Sequence, residues 1–482
     1  MIIHDHLLIA GKPAESSGTE TIDVVNPFTE EVMGRVPDGT AADVDRAVAA
    51  ARHTFESTDW ATRPAAERAE ILSKASVLIN ERMDELTRLI TAEMGSPYSW
   101  CMFGQVLAPT MVLDYYAGLG ATYEFEETRP GLMGPVVVRR EPVGVAAAIV
   151  PWNVPLFVTV LKLAPAIVAG CTVVVKPAPE TPLDAYVLHD ILTEAGLPPG
   201  VLNVVPAGRE VGEHLVTHPG VDKVGFTGST AAGKRIGALC GELLRPCTLE
   251  LGGKSAAIVL DDADLDAVVP GLMDAGILNN GQACVAQTRI LASRTRYDEV
   301  LEAVTEAVAA QVVGDPMDPA TQIGPLVAER QRERVLGYIE AGRNEGAEVT
   351  TGGGRPDIDT GWFVEPTVFG GVSNDMTVAR EEIFGPVLSV LPYDDEGDAI
   401  AIANDSPYGL SGSVWSADPD RAADVARRMQ TGTVTVNHFA MAFGAPFGGY
   451  KQSGLGRELG PEGLAAYLES KSISLDPSQG QD

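Results

Sequence analysis

From residue 143 onward, short runs of β-branched and apolar residues alternate with helix-length stretches. The runs 143–150, 172–176, 201–205 and 223–227 read as strands, with the apolar stretch 156–168 and a helix at 183–195 between them. Alternation at this spacing predicts βαβ units and a parallel sheet covered on both faces. A second alternating region runs from about 255 to 435, with a helix at 263–279, a strand at 288–292 and helices at 296–312 and 327–345. Two α/β lobes account for both regions. Ahead of them, Thr40 is placed to cap a helix on which Val44, Ala47, Val48, Ala51 and Phe55 recur at helical spacing, with Asp43 completing a capping box. The segment 121–141 reads as an extended hairpin interrupting the first lobe, and 472–475 as a short last strand. Neither has a partner inside a lobe, which predicts an arm that pairs with another subunit. The end, 478–482, is expected to fray.

Composition narrows the setting. A chain of 482 residues, 45% hydrophobic and 21% charged, can bury an extensive core spread over more than one domain. The net charge of −31 repels a phosphate backbone or an anionic membrane surface, and no basic patch offsets it. Nucleic acid and membrane are therefore not expected partners. The longest apolar stretch, 163–175, is broken by Pro165 and Gly170. Five cysteines with no CxxC spacing argue against a disulfide framework and fit a reducing, cytoplasmic compartment. Cys101, Cys171, Cys240 and Cys247 read as buried, inert thiols.

Cys284 differs through its neighbours. It ends the run Asn280-Gly281-Gln282-Ala283-Cys284, and upstream Glu250 lies in Leu249-Glu250-Leu251-Gly252-Gly253-Lys254. A thiol that attacks carbon and a carboxylate that activates water are the groups a covalent, hydrolytic mechanism needs. The run Phe226-Thr227-Gly228-Ser229-Thr230 follows a strand and opens a helix, so its backbone amides can face a pyrophosphate; a tight turn without ligand has the same look. There is no G-x-G-x-x-G. Lys176 ends a strand, where open α/β sheets gather ligands, though a surface lysine fits as well. Asn153, in Pro151-Trp152-Asn153-Val154-Pro155, carries an amide donor suited to an oxyanion, or is a turn residue beside proline.

Together with Lys176-Pro177, Glu381-Glu382-Ile383-Phe384-Gly385-Pro386 and Pro446-Phe447-Gly448-Gly449-Tyr450-Lys451, these motifs resemble the aldehyde dehydrogenase superfamily over essentially the whole chain. The resemblance implies two Rossmann-like α/β domains and a small oligomerisation arm. The cofactor-binding domain would span 1–119 and 142–252 with a return at 453–467, the catalytic domain 253–452, and the arm 120–141 and 468–482. It implies that Cys284 is the nucleophile, Glu250 the general base, and Asn153 with the Cys284 amide the oxyanion hole. Lys162 and Glu458 would relay protons. Cofactor contacts would come from Val150, Pro151, Trp152, Lys176, Pro179, Gly208, Gly212, Phe226, Thr227, Gly228, Ser229, Leu251, Glu382 and Phe384. The substrate funnel would be Val154, Val158, Leu161, Leu278, Ala283, Val285 and Phe443. The cofactor implied is NAD, with no metal, in a homodimer or homotetramer.

Two details refine the expectation. Where NAD-preferring members of the superfamily commonly carry a glutamate that repels a 2′-phosphate, this chain has Pro179, with Glu180 displaced by one, so the barrier to NADP is weakened. No arginine lies between 176 and 182 to attract that phosphate. All seven funnel positions are apolar, which predicts aliphatic, terpenoid or aromatic aldehydes over semialdehydes and aminoaldehydes. Rival readings are a coenzyme-A-acylating dehydrogenase, against which Glu250 speaks, and a silent structural relative. A cysteine hydrolase lacks a histidine in any motif that marks it as a base.

Overall fold

The computed structural model describes residues 1–476, so the end read as frayed, 478–482, lies outside the described residues. The capped helix forms as α1 (Ala41–Ser57): Thr40 Oγ1 accepts from Asp43 N, and the Asp43 carboxylate accepts from Thr40 N at 2.9 Å. Val44, Ala47, Val48 and Ala51 are buried along it, while Phe55 is half-buried and Thr54 takes the last inward place.

The first lobe is built on β1 (Val145–Ile149), α2 (Pro155–Ala169), β2 (Thr172–Lys176), α3 (Leu183–Glu194), β3 (Leu202–Val204), α4 (Arg209–Thr217), β4 (Lys223–Thr227), α5 (Thr230–Glu242) and β5 (Cys247–Glu250). These strands lie parallel in the order β5-β4-β1-β2-β3. The chain leaves β1 toward one edge and returns to the other at β4, so a switch point opens between the carboxyl ends of β1 and β4, where ligands of such sheets sit. Two antiparallel strands, Leu7–Ile9 and Lys12–Ala14, extend the edge beyond β3, and Gly454–Leu455 extends the edge beyond β5. Every residue of α2 is buried, as its all-round apolar sequence requires, including its one charge, Lys162.

The second lobe carries β6 (Ala256–Val259), α6 (Leu265–Gly276), β7 (Arg289–Ser293), α7 (Tyr297–Ala309), α8 (Glu329–Asn344), β8 (Thr367–Gly370), β9 (Val387–Tyr393) and β10 (Gly412–Trp415). Its strands run parallel in the order β8-β9-β7-β6-β10, with Thr435–Val436 added parallel at one edge and Glu348–Thr351 antiparallel at the other. Each sheet is covered on both faces by apolar side chains. The molecule is thus an α/β protein of two mainly parallel sheets.

Three sequence expectations shift. The helix expected over 263–279 stops at Gly276, because Asn279, Asn280 and Gly281 all take positive φ and turn the chain toward Cys284. Ala121 and Thr122, assigned to the hairpin, instead end the helix Ala108–Thr122. The last strand is longer than 472–475: Leu468–Ser474 pairs antiparallel with Val136–Pro142, which pairs with Glu126–Arg129. The arm's strands therefore partner one another, and the two outer strands keep one free edge each.

Candidate active site

Three segments converge where the lobes meet. The loop after β1 carries Asn153, the turn after β5 follows Glu250, and the left-handed turn after α6 carries Cys284. The side chain of Asn280 clamps that turn: its Nδ2 donates to Gly95 O and Pro325 O, and its Oδ1 accepts from Gly324 N. Gln282 Oε1 accepts from Val327 N at 3.0 Å. Asn153 Nδ2 donates to Gln282 O at 2.8 Å, which fixes its amide beside the Cys284 loop and leaves its second N–H uncommitted to that carbonyl. Gln105 and Asn279 in turn hold Asn153 O at 3.3 and 2.9 Å. Motif reasoning missed these holding residues. The polarity of Asn279, Asn280 and Gln282 in an otherwise buried stretch was the available signal.

Gly253 explains how closely the segments pack, since a Cβ there would stand 2.4 Å from Cys284 O. Cys284 is half-buried and unpaired, and its thiol is pushed up to about 12, first by burial and then by Glu382 and Glu250. Glu250 is buried, and neither carboxylate oxygen finds a hydrogen-bond partner among the described residues. Burial, then the neighbouring Glu458, raises its carboxyl well above the ordinary range, against the pull of Lys162 and Arg457. Lys162 Nζ is shared between Glu458 Oε1 at 2.6 Å and Thr227 Oγ1 at 2.7 Å. This pair joins positions 296 residues apart, linking the helix behind Asn153 to the Glu250 neighbourhood.

A cleft of about 590 Å³ opens at the switch point between β1 and β4. Val150, Pro151, Trp152, Lys176, Pro179, Gly208, Gly212, Phe226, Thr227, Gly228 and Ser229 all line it. Lys176 is buried, its pKa lowered by burial to about 8; its Nζ donates to Pro177 O and Ala207 O, which leaves one proton free. Ser229 caps α5 by accepting from Ala232 N. Glu382 Oε1 accepts from Gly253 N at 2.9 Å, and burial raises its carboxyl to about 7. The Phe384 ring meets Trp152 edge-on at 5.4 Å. Leu251, Glu382 and Phe384 are not among the residues lining this cleft, and the Leu251 side chain packs beneath α5 against Gly233 in the core. The structure also adds what the sequence did not suggest, namely three arginines on that wall: Arg209, Arg235 and Arg330. Arg330 pairs with Glu180 and Arg235 with Glu213, whereas Arg209 has no ion-pair partner among the described residues.

All seven funnel positions share one apolar cluster with Cys284. Val158, Leu161, Ala283 and Val285 are buried, and Val154, Leu278 and Phe443 are half-buried. Phe157, whose ring stands 6.3 Å from that of Phe443, and the half-buried Tyr115, Phe439 and Met441 belong to the same cluster and were not singled out from sequence. Among the described residues, no group of three or more His, Cys, Asp or Glu could hold a metal, and no helix is long and apolar enough to cross a membrane.

The fold has counterparts among known proteins. The family model described as "Aldehyde dehydrogenase family" matches residues 14–473, and the chain belongs to that family. It is 50% identical to the geranial dehydrogenase of Castellaniella defragrans, over 98% of this chain and 99% of that one. It is 44% identical to a 3-succinoylsemialdehyde-pyridine dehydrogenase of a Pseudomonas species, over 96% and 97% of the two chains. Among solved structures, the aldehyde dehydrogenase of Mycobacterium tuberculosis complexed with NAD+ superposes with a TM-score of 0.97 at 51% identity, covering 98% of both chains.

Proposed function

We propose that this aldehyde dehydrogenase oxidises apolar aldehydes, terpenoid ones among them, to carboxylic acids with NAD, through an acyl group held on Cys284. The single observation that carries the substrate class is that the seven funnel side chains, which belong with Cys284 to the apolar core of the first lobe, offer no charge. The geranial dehydrogenase relative acts on a substrate of that kind; the succinoylsemialdehyde relative, nearly as similar, shows that overall likeness does not decide the matter.

The residues present fit a dinucleotide. The free proton of Lys176 suits a ribose hydroxyl, the amides opening α5 suit a pyrophosphate, and Glu382 suits the second ribose. When bound, the nicotinamide supplies the hydride acceptor. The protein's own steps begin as Cys284 adds to the aldehyde carbon while its proton passes to an ionised Glu250. Asn153 Nδ2 and the Cys284 N–H hold the oxyanion that forms. After hydride departure leaves a thioester, Glu250 draws a proton from water, which attacks the acyl carbon and frees Cys284. The Lys162–Glu458 pair offers the route by which Glu250 exchanges protons. Release by water, not by coenzyme A, follows from the presence of Glu250. The arm's free edges suit pairing within a homo-oligomer.

Desolvating a substrate carboxylate or ammonium against this wall costs several kcal/mol. Charged aldehydes should therefore trail by at least about a hundredfold in kcat/KM. The test is a panel of geranial, hexanal and benzaldehyde against succinate semialdehyde and betaine aldehyde. A charged aldehyde that outperforms hexanal would sink the substrate reading. With Pro179 in place of an acid, and Arg209 free on the wall, discrimination against NADP should be relaxed; a kcat/KM ratio favouring NADP by more than about tenfold would overturn the assignment of NAD.

A further inference from the structure

The cofactor cleft is cationic in a chain that is strongly acidic. Its charged lining consists of Lys176, Arg209, Arg235 and Arg330 against Glu180 and Glu213, on a protein of net charge −31. Both acids are engaged. Arg235 Nη2 donates to Glu213 Oε1 at 2.6 Å, which joins α5 to α4. Arg330, the second residue of α8, reaches over from the other lobe and donates to the Glu180 carboxylate. Lys176 and Arg209 are left with no ion-pair partner among the described residues. Hydrogen bonds fix where these groups stand. Lys176 Nζ donates to Pro177 O at 2.9 Å and to Ala207 O at 2.8 Å, so the turn 177–180 lies on one side of the ammonium and the turn 207–209 on the other. Gly212 packs so near that a Cβ there would come within 3.3 Å of Lys176 Cδ, which brings the first turn of α4 against the same lysine. Arg209 is the first residue of that helix. A ribose hydroxyl held by the free proton of Lys176 thus has Arg209 on one flank and the Glu180–Arg330 pair on the other.

We infer, on the proposed assignment of this cleft to NAD, that Arg330 sets cofactor specificity from the second lobe by neutralising Glu180, so that a 2′-phosphate is accepted beside Arg209 and NADP serves alongside NAD. A phosphate monoester carries a charge of roughly −1.5 to −2 at pH 7. A free Glu180 on the flank of the ribose would repel it. Paired with Arg330, that carboxylate presents no net charge, and Arg209 on the opposite flank is then a surplus cation for the phosphate to meet. Arg330 is a positioning residue in this scheme, because it acts on the phosphate through Glu180. Its side chain is 64% exposed and that of Glu180 19%, so solvent and salt weaken the pair and its effect on selectivity is moderate.

The readout is the ratio of kcat/KM for NADP to kcat/KM for NAD, measured on the full-length enzyme with hexanal at low salt. Turnover with NAD reports separately on the proposed function. Arg330→Gln should lower the ratio about fivefold, and Glu180→Gln should raise it about as much. Combining the two should return the ratio to within about twofold of wild type, because the acid that Arg330 neutralises is then gone. Arg209→Gln should lower the ratio about tenfold, and added potassium chloride should shrink all of these effects together. The dissociation constants of NADPH and NADH, followed by their fluorescence, should shift in the same directions without turnover. If the chain turns over neither cofactor, the proposed function falls and those constants decide the role of Arg330. An Arg330→Gln ratio within about twofold of wild type would overturn that role. So would a double variant as low as Arg330→Gln alone, since Arg330 would then touch the phosphate itself. A wild-type ratio below about one thousandth would overturn it as well, because the cleft would then reject NADP with Glu180 already neutralised.

Discussion

Replacing Asn153 by Ala removes a donor that is already aimed. Loss of one oxyanion donor costs roughly 2.7–4 kcal/mol of transition-state stabilisation, about a hundred- to a thousandfold in kcat. The structure adds a second cost, because Asn153 Nδ2 also donates to the buried Gln282 O at 2.8 Å. That carbonyl is not orphaned, since Asn279 Nδ2 reaches it at 3.3 Å, so the stability loss should stay near 1 kcal/mol. A loss of that size leaves a fold stabilised by about 5–15 kcal/mol intact. The two costs therefore separate cleanly: kcat for hexanal at saturating NAD should collapse while the melting temperature falls only slightly. Asn153→Asp, which keeps the shape and presents oxygen where the donor was, should lose at least as much activity. A fall in kcat of less than about tenfold in a stably folded Asn153→Ala protein would refute the assignment of this amide to the oxyanion.

Three further outcomes follow from the same geometry. Glu250→Gln removes the base for both the thiol and the water, so steady turnover should slow by about 10²–10⁴-fold; an undiminished steady state would remove Glu250 from the mechanism. The Cys284 thiol lies above its ordinary value, at about 12, so the reactive thiolate is scarce at neutral pH and grows as pH rises. Alkylation by iodoacetamide in the cofactor-free enzyme should accordingly quicken close to tenfold per pH unit from about pH 7 to 10; a plateau below pH 9 would contradict it. Lys162→Met leaves Glu458 buried without its cation and should destabilise by about 3–5 kcal/mol, whereas Lys162→Met with Glu458→Gln should recover most of that loss. Additive losses in the double variant would mean that the pair does not act as a unit.

What could be read from the chain, and what could not, divides by reach. β2 and β4 begin and end where their patterns predict, since a buried parallel strand is one apolar run bounded by its own turn residues. Lys176 and the run Phe226 to Ser229 could be placed at the cleft from the sequence because they lie at the carboxyl ends of β2 and β4, whereas Gly208 and Gly212 were expected there only from the family resemblance. The inward turn of the Leu251 side chain was not legible, because beyond β5 only the packing of α5 decides which way a side chain points. The partners of the holding residues Gln105, Asn279 and Asn280 were out of reach because they lie far along the sequence, as with Asn280 and Gly95 across 185 positions. Arg330 enters the cofactor cleft from the opposite lobe, which no reading of 176–182 could reveal.

The electrostatics of the site share one cause and have one consequence. Burial raises Cys284, Glu250 and Glu382 toward their protonated forms, and it lowers Lys254, whose Nζ has no hydrogen-bond partner among the described residues, to about 7. Acids that hold their protons beside a lysine that gives its proton up make a centre of little net charge, which matches the apolar wall in front of it. Such a centre is poorly reactive by itself: an aldehyde arriving first meets a thiol, not a thiolate. A cation placed beside Cys284 reverses the balance, because it favours the ionised sulfur and the ionised Glu250 together. The oxidised nicotinamide is cationic, so adding NAD should accelerate alkylation of Cys284 at pH 7, whereas NADH, lacking that charge, should not. Equal acceleration by both forms would show that occupancy of the cleft, and not charge, activates the nucleophile.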